Sequence, residues 1–169
     1  GTLGVLGNAN LFLINPNGII FGPDAKLDIG GSFYGATANS ILFENGFEFA
    51  TSDPQAPPLL TVNVPIGLRL PENPGSIQVE GRGHNLSLDP ETSSFVRENR
   101  NVGLQVGTGQ TLALIGGDIF LTGGNLTAEK GNIELGSVRR GVVGITATPN
   151  KLSYGEISTF GNIRLSQAS

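Results

Sequence analysis

The stretch TLALIGGDIFLTGGNLTAEKGNIELGSV, Thr111 to Val138, decides how this chain folds. Its apolar residues Leu112, Ile119, Leu126 and Ile133 recur every seven positions, followed two places later by Leu114, Leu121, Ala128 and Leu135. A spacing of two puts side chains on one face of a strand. Gly117, Gly124 and Gly131 close the units at the same interval of seven, and glycine tolerates the positive φ or bulge that turns a strand sharply. Each unit reads as a short strand and a corner. An apolar heptad also marks coiled coils, but glycines inside a helix cost about 1 kcal/mol each relative to alanine, and residues two apart point to different sides of a helix.

Three units span about 21 residues, a length suited to one three-sided coil whose strands pair with their equivalents above and below. The predicted fold is all-β: a right-handed, single-stranded parallel β-helix, pectin-lyase-like, with coils about 4.8 Å apart and an inward column of Leu, Ile and Val. The N-terminal region repeats the plan less regularly. Leu11 to Ile14, Ile19 to Phe21, Leu27 to Ile29 and Phe33 to Thr37 are strand candidates, with Asn15-Pro16-Asn17-Gly18 and Gly22-Pro23-Asp24 as corners. At the other end, Gly155 to Leu165 begins another coil.

Six of the ten prolines fall between Pro54 and Pro74, a density that central ladder strands do not accommodate. The chain therefore divides into first coils over 1–43, an extra-helical excursion over 44–75, return strands and a charged loop over 76–101, and regular coils over 102–169. In the excursion, Leu59 to Val64 and Ile66 to Leu70 are expected in a small flanking sheet or hairpin. Ile77 to Val79 and Leu86 to Leu88 should return to coils, and Asp89 to Asn101 should be a solvated loop with room for one helical turn.

A length of 169 residues fits one domain. Charged residues make up 14%, below the usual share of about 25%, and the 26 glycines are about twice the usual proportion. The net charge of -4 and pI near 4.9 offer no field to hold phosphates or an anionic membrane, which argues against nucleic acid as a partner. Apolar runs such as Leu112 to Ile115 are strand-sized, so no membrane insertion is expected. The absence of cysteine removes disulfides and thiolate chemistry. Gly1 to Gly7 reads as the middle of a pattern, so the chain is expected to be an excised piece, with any signal peptide upstream.

Asn15-Pro16-Asn17-Gly18, flanked by Leu11-Phe12-Leu13-Ile14 and Ile19-Ile20-Phe21-Gly22, resembles the signature of the two-partner secretion (TPS) domain that opens the filamentous haemagglutinin family of exported adhesins. The resemblance continues through Leu59 to Leu70, Gly81-Arg82-Gly83-His84-Asn85-Leu86 and Leu112 to Val138. It implies a β-helix, export by a signal peptide, and recognition in the periplasm by POTRA domains of an Omp85-type (TpsB) outer-membrane transporter. It also implies that the passenger crosses unfolded and winds up outside, secreted or on the cell surface, with this domain as address label and folding nucleus. Through the parent protein, the implied contacts are a host or neighbouring-cell surface or polysaccharide. Two features depart from the family: no second motif of the Asn-Pro-Asn-Leu type is present, Asn73-Pro74-Gly75 being only a turn fragment, and the stretch before the first motif is expected to be too short to hold the N-terminal capping strands.

Residue chemistry gives the motif its own reason. Pro16 fixes φ, Asn15 and Asn17 can satisfy local backbone groups, and Gly18 supplies a left-handed conformation. Two readings stand: the corner turns the chain and no more, or it also serves transporter recognition or folding. Other sites are thin. His84 is the single histidine and reads as a turn residue; a multi-histidine metal site is impossible. Asp118 and Glu134 are not spaced as the converging carboxylates a polysaccharide-active enzyme needs. Gly116-Gly117-Asp118 and Gly123-Gly124-Asn125 follow a period of seven, with Asn125 where a calcium repeat wants a carboxylate. No cofactor is expected. Arg139-Arg140 reads as a solvated loop, and Asn125 and Asn132 as corner caps. An adhesive or surface-binding scaffold is the alternative function, with an enzyme third.

Overall fold

The computed structural model describes residues 1–53, 64–84, 86–97, 102–146 and 151–167. The chain opens with β1 (Thr2–Val5), β2 (Leu11–Ile14), β3 (Ile19–Phe21), β4 (Lys26–Ile29) and β5 (Phe33–Ala36). Next come β6 (Ser40–Phe43), β7 (Glu48–Ala50), β8 (Pro65–Leu70), β9 (Ile77–Glu80), β10 (Leu86–Leu88) and β11 (Phe95–Arg97). The repeat supplies β12 (Leu104–Val106), β13 (Thr111–Gly116), β14 (Ile119–Thr122), β15 (Leu126–Ala128) and β16 (Asn132–Ser137). Last are β17 (Gly141–Ile145), β18 (Leu152–Ser153) and β19 (Ile163–Ser166). Among the described residues there is no helix, and so none long and apolar enough to cross a membrane.

The fold is all-β and mostly parallel. One ladder pairs β2, β5, β13 and β16 in that order, with Leu11, Phe33, Leu112 and Ile133 in line. A second pairs β3, β9, β14 and β19, aligning Ile19, Ile77, Ile119 and Ile163. The third side holds the parallel pairs β1–β4 and β12–β15, with β12 packed beside β4. The chain visits the three sides in constant cyclic order, which is compatible with a β-helix.

Three segments leave that cycle. β6, β7 and β8 join β17 and β18 in one antiparallel sheet, ordered β18-β17-β8-β6-β7. The flanking sheet thus starts at Ser40, before the prolines, and recruits Gly141–Ile145 and Leu152–Ser153 from a stretch where regular coils are expected. Gly141 and Gly144 put little side chain into β17, so its sequence carries no seven-residue signature. Most of the expected Leu59 to Val64 strand lies outside the described residues. The third departure is β10, which pairs antiparallel with β11 in a hairpin instead of returning to a coil, leaving Phe95 78% and Leu88 58% exposed. At its turn the Asp89 carboxylate accepts the N–H groups of Glu91 (2.8 Å) and Thr92 (3.1 Å), and Ser93 N–H donates to Asp89 O (2.9 Å), closing the single helical turn for which the sequence left room.

Two cores share the β2–β5–β13–β16 ladder. Inward residues Phe33, Leu112 and Leu114 pack with Ile19, Ile77, Val79, Leu104, Ile119 and Leu121 from the other sides. Outward residues Tyr34, Ala36, Ala113 and Ile115 pack under Ile41, Leu68, Leu70 and Val143 of the flanking sheet. Every residue of β13 is therefore buried. The Phe12 and Tyr34 rings stack at 4.6 Å on the same outer face.

Leu112 and Ile133 share a register position, but Leu112 is fully buried and Ile133, on edge strand β16, is 46% exposed. Leu112→Ala should cost roughly 2–5 kcal/mol and Ile133→Ala under about 1 kcal/mol, the difference arising from the cavity left in a closed core. Urea unfolding measures both.

Tyr154 packs its hydroxyl against Gly136, where it finds no hydrogen-bond partner among the described residues. Burial, then the Glu134 charge, push its pKa up to about 12 from 10.0. The folded chain holds this proton more tightly than the unfolded one, so the contribution is complete below pH 10 and disappears as pH rises towards 12. Urea midpoints between pH 9 and 12 should fall for the parent chain, and Tyr154→Phe should flatten that fall without loss at pH 7, because no hydrogen bond is removed.

Candidate functional site: a column of stacked corners

The Asn15-Pro16-Asn17-Gly18 corner joins β2 to β3. Asn17 N–H donates to the Asn15 side-chain oxygen and Gly18 N–H to the Asn15 carbonyl, each at 3.1 Å, so an Asx turn sits inside a β-turn. Gly18 has φ of 123°. Asn15 N–H continues one ladder by donating to Ala36 O (3.0 Å), and Ile19 N–H starts the next by donating to Ser76 O (3.0 Å). The four residues convert one ladder into the other without losing register. Asn15 and Asn17 are exposed, while Pro16 and Gly18 are half-buried.

Beneath this corner lies Asn73-Pro74-Gly75, which the sequence presents as an isolated turn fragment. Gly75 N–H donates to Pro16 O at 2.9 Å, and Gly117 N–H donates in turn to Gly75 O at 3.0 Å. Gly116-Gly117-Asp118 thus forms a third layer, and Ile77 N–H donates to Asp118 O (3.0 Å). The fourth layer is Gly161-Asn162: Asn162 N–H donates to the Asp118 carboxylate at 2.9 Å, and the Arg139 guanidinium meets the same oxygen at 2.7 Å. The signal for this column was present as Asn-Pro followed by Gly at both 15–18 and 73–75, but their separation is not a multiple of the repeat.

Gly117, Gly124 and Gly131 do stand at corners, but not for positive φ. That conformation belongs to neighbours, Gly123 at 65° and Lys130 at 52°. The three glycines are required by close approach: a Cβ would lie 2.2 Å from Pro74 O at Gly117, 2.5 Å from Val79 O at Gly124 and 1.9 Å from Gln110 O at Gly131. Buried hydroxyls complete the stacking that the sequence did not single out. Ser32 Oγ accepts Thr111 N–H (3.0 Å), Thr37 Oγ1 accepts Gly117 N–H (3.3 Å), and Ser137 Oγ donates to Gly117 O (2.6 Å).

The remaining candidates are structural. Asp118 is committed to Arg139 and Asn162, so it caps a corner; Arg140 faces Glu72 at 3.8 Å on the surface. Asn125 is buried and its carbonyl accepts Leu104 N–H at 3.0 Å, whereas Asn132 is exposed. His84 is half-buried beside Gly83 (φ 68°), with no hydrogen-bond partner for Nδ1 among the described residues. No group of three or more His, Cys, Asp or Glu suited to a metal ion occurs among the described residues.

Close packing sets the expected mutational order. Gly117→Ala forces backbone apart and should cost roughly 2 kcal/mol or more; Gly18→Ala, at positive φ and with its Cβ 3.0 Å from Ser76 O, should cost about 1–3 kcal/mol. Gly22→Ala, with nothing within 4 Å, should be near neutral in the same urea titrations.

Comparison with curated proteins and with solved structures found no significant match. A family model described as the TPS secretion domain matches residues 1–169. The stacked corners and cyclic parallel ladders thus belong to a member of the two-partner secretion domain family, a family of exported, haemagglutinin-type proteins and not of enzymes.

Proposed function

We propose that this chain is the export-recognition and folding-nucleus domain of a larger adhesin-like protein, recognised in the periplasm by POTRA domains of an Omp85-type transporter. The observation that carries this reading is the family match along the whole chain. Its ladders are read as one right-handed β-helix, the hand favoured for parallel crossovers, divided into first coils over 1–43, an excursion over 44–75, return segments over 76–101 and coils over 102–169. Asn15 to Gly18 supply the recognition or nucleation corner, and Gly117, Gly124 and Gly131 the corners on which later coils stack. The destination is outside the cell or on its surface.

The exposed apolar residues of the β10–β11 hairpin favour a second reading, in which the domain also contacts other surfaces as an adhesive scaffold. Pull-down of the secretion domain with the POTRA domains of its transporter separates the two, since a purely adhesive module ignores that partner. In the full-length protein, Asn15→Ala and Gly18→Ala should lower the amount secreted. Asn15→Asp keeps the oxygen that accepts Asn17 N–H but loses the exposed amide, so restored export assigns the corner to folding and lost export assigns it to recognition. Undiminished export of the first two variants removes the motif's role.

A further inference from the structure

We infer that β17 is a clasp, a strand that completes the flanking sheet only after the ladders beneath it have formed and then locks that sheet in place. β8 has two neighbours. One is β6, close in sequence, with Ser40 opposite Arg69 and Ile41 opposite Leu68. The other is β17, with Gly141 opposite Leu70 and Val143 opposite Leu68, and β9 to β16 lie between them in the chain. Local pairs form before distant ones because loop closure must precede the contacts that reward it, and a chain made N-terminus first holds β6 to β8 before β17 exists.

The route into β17 starts from a docked β16. Val138, fully buried, donates its N–H to Gly116 O at 2.6 Å, and Arg139 binds Asp118 at 2.7 Å, so both anchors are on layers that must already be stacked. Gly141, with φ of 119°, then turns the chain onto β8. Before this step, β8 presents an open edge, and Leu68 lacks Val143, its fully buried partner over Ala113 and Ile115. The flanking sheet thus depends for its final stability on a strand contributed from beyond the repeat, and this holds whether or not the domain serves export.

Native-state amide exchange on the full chain tests the clasp. Val143→Asp should speed exchange in β6 and β8 about 100-fold or more while amides of β14 and β9 keep their protection. Val143→Ala should give the same pattern at about tenfold, guarding against outright failure to fold. Unchanged exchange in β6 and β8, or an equal loss in β9 and β14 in the alanine variant, would overturn the inference.

Discussion

Every rung of this protein must satisfy its backbone on the rung beside it, at a strand spacing of about 4.8 Å, and that spacing must survive the corners. Along strands the requirement is easily met. At corners it is severe, because one turn must lie directly on another. Pro16 O takes Gly75 N–H, and Gly75 O takes Gly117 N–H, within a space where a single Cβ at Gly117 would approach Pro74 O to 2.2 Å. Glycine there is a matter of clearance, as it is at Gly124 and Gly131, where the positive φ falls one residue earlier, at Gly123 and Lys130. Asp118, Ser32, Thr37 and Ser137 then supply the acceptors and donors that the turns leave open.

Given corners that stack, the rest of the fold follows from what faces each ladder. Inward positions meet residues from the other two sides and make an apolar column. The outer face of β2, β5 and β13 is also apolar and needs a cover, which the antiparallel sheet provides. Parallel strands covered on both faces read as continuous hydrophobic runs, and Leu112 to Ile115 is such a run.

This arrangement suits the proposed role of folding and being recognised. The family is one of secretion domains, and the features that set the chain apart are geometric: layered turns, exposed asparagines at the first of them, and a sheet assembled from separated segments. Three carboxylates serve structure. Asp118 holds a corner, Asp89 a hairpin turn, and Glu48 receives both Ser40 and Arg69, the Ser40 hydroxyl and then Arg69 holding its pKa below the usual carboxylate value.

The sequence by itself determined the all-β class, the parallel ladders at 112–116, 119–122 and 133–135, the Asn15 to Gly18 corner and the family, because these rest on spacing within a few residues: alternation, a period of seven, and turn chemistry. Tertiary structure alone decided that β17 leaves the repeat to pair with β8, that Leu86–Leu88 turns outward into a hairpin, and that Asn73-Pro74-Gly75 underlies the first motif. Those outcomes depend on partners far away along the chain. Val143 carries no mark that Leu68 will be opposite it, and Gly117 none that Pro74 O will lie where its side chain would have been.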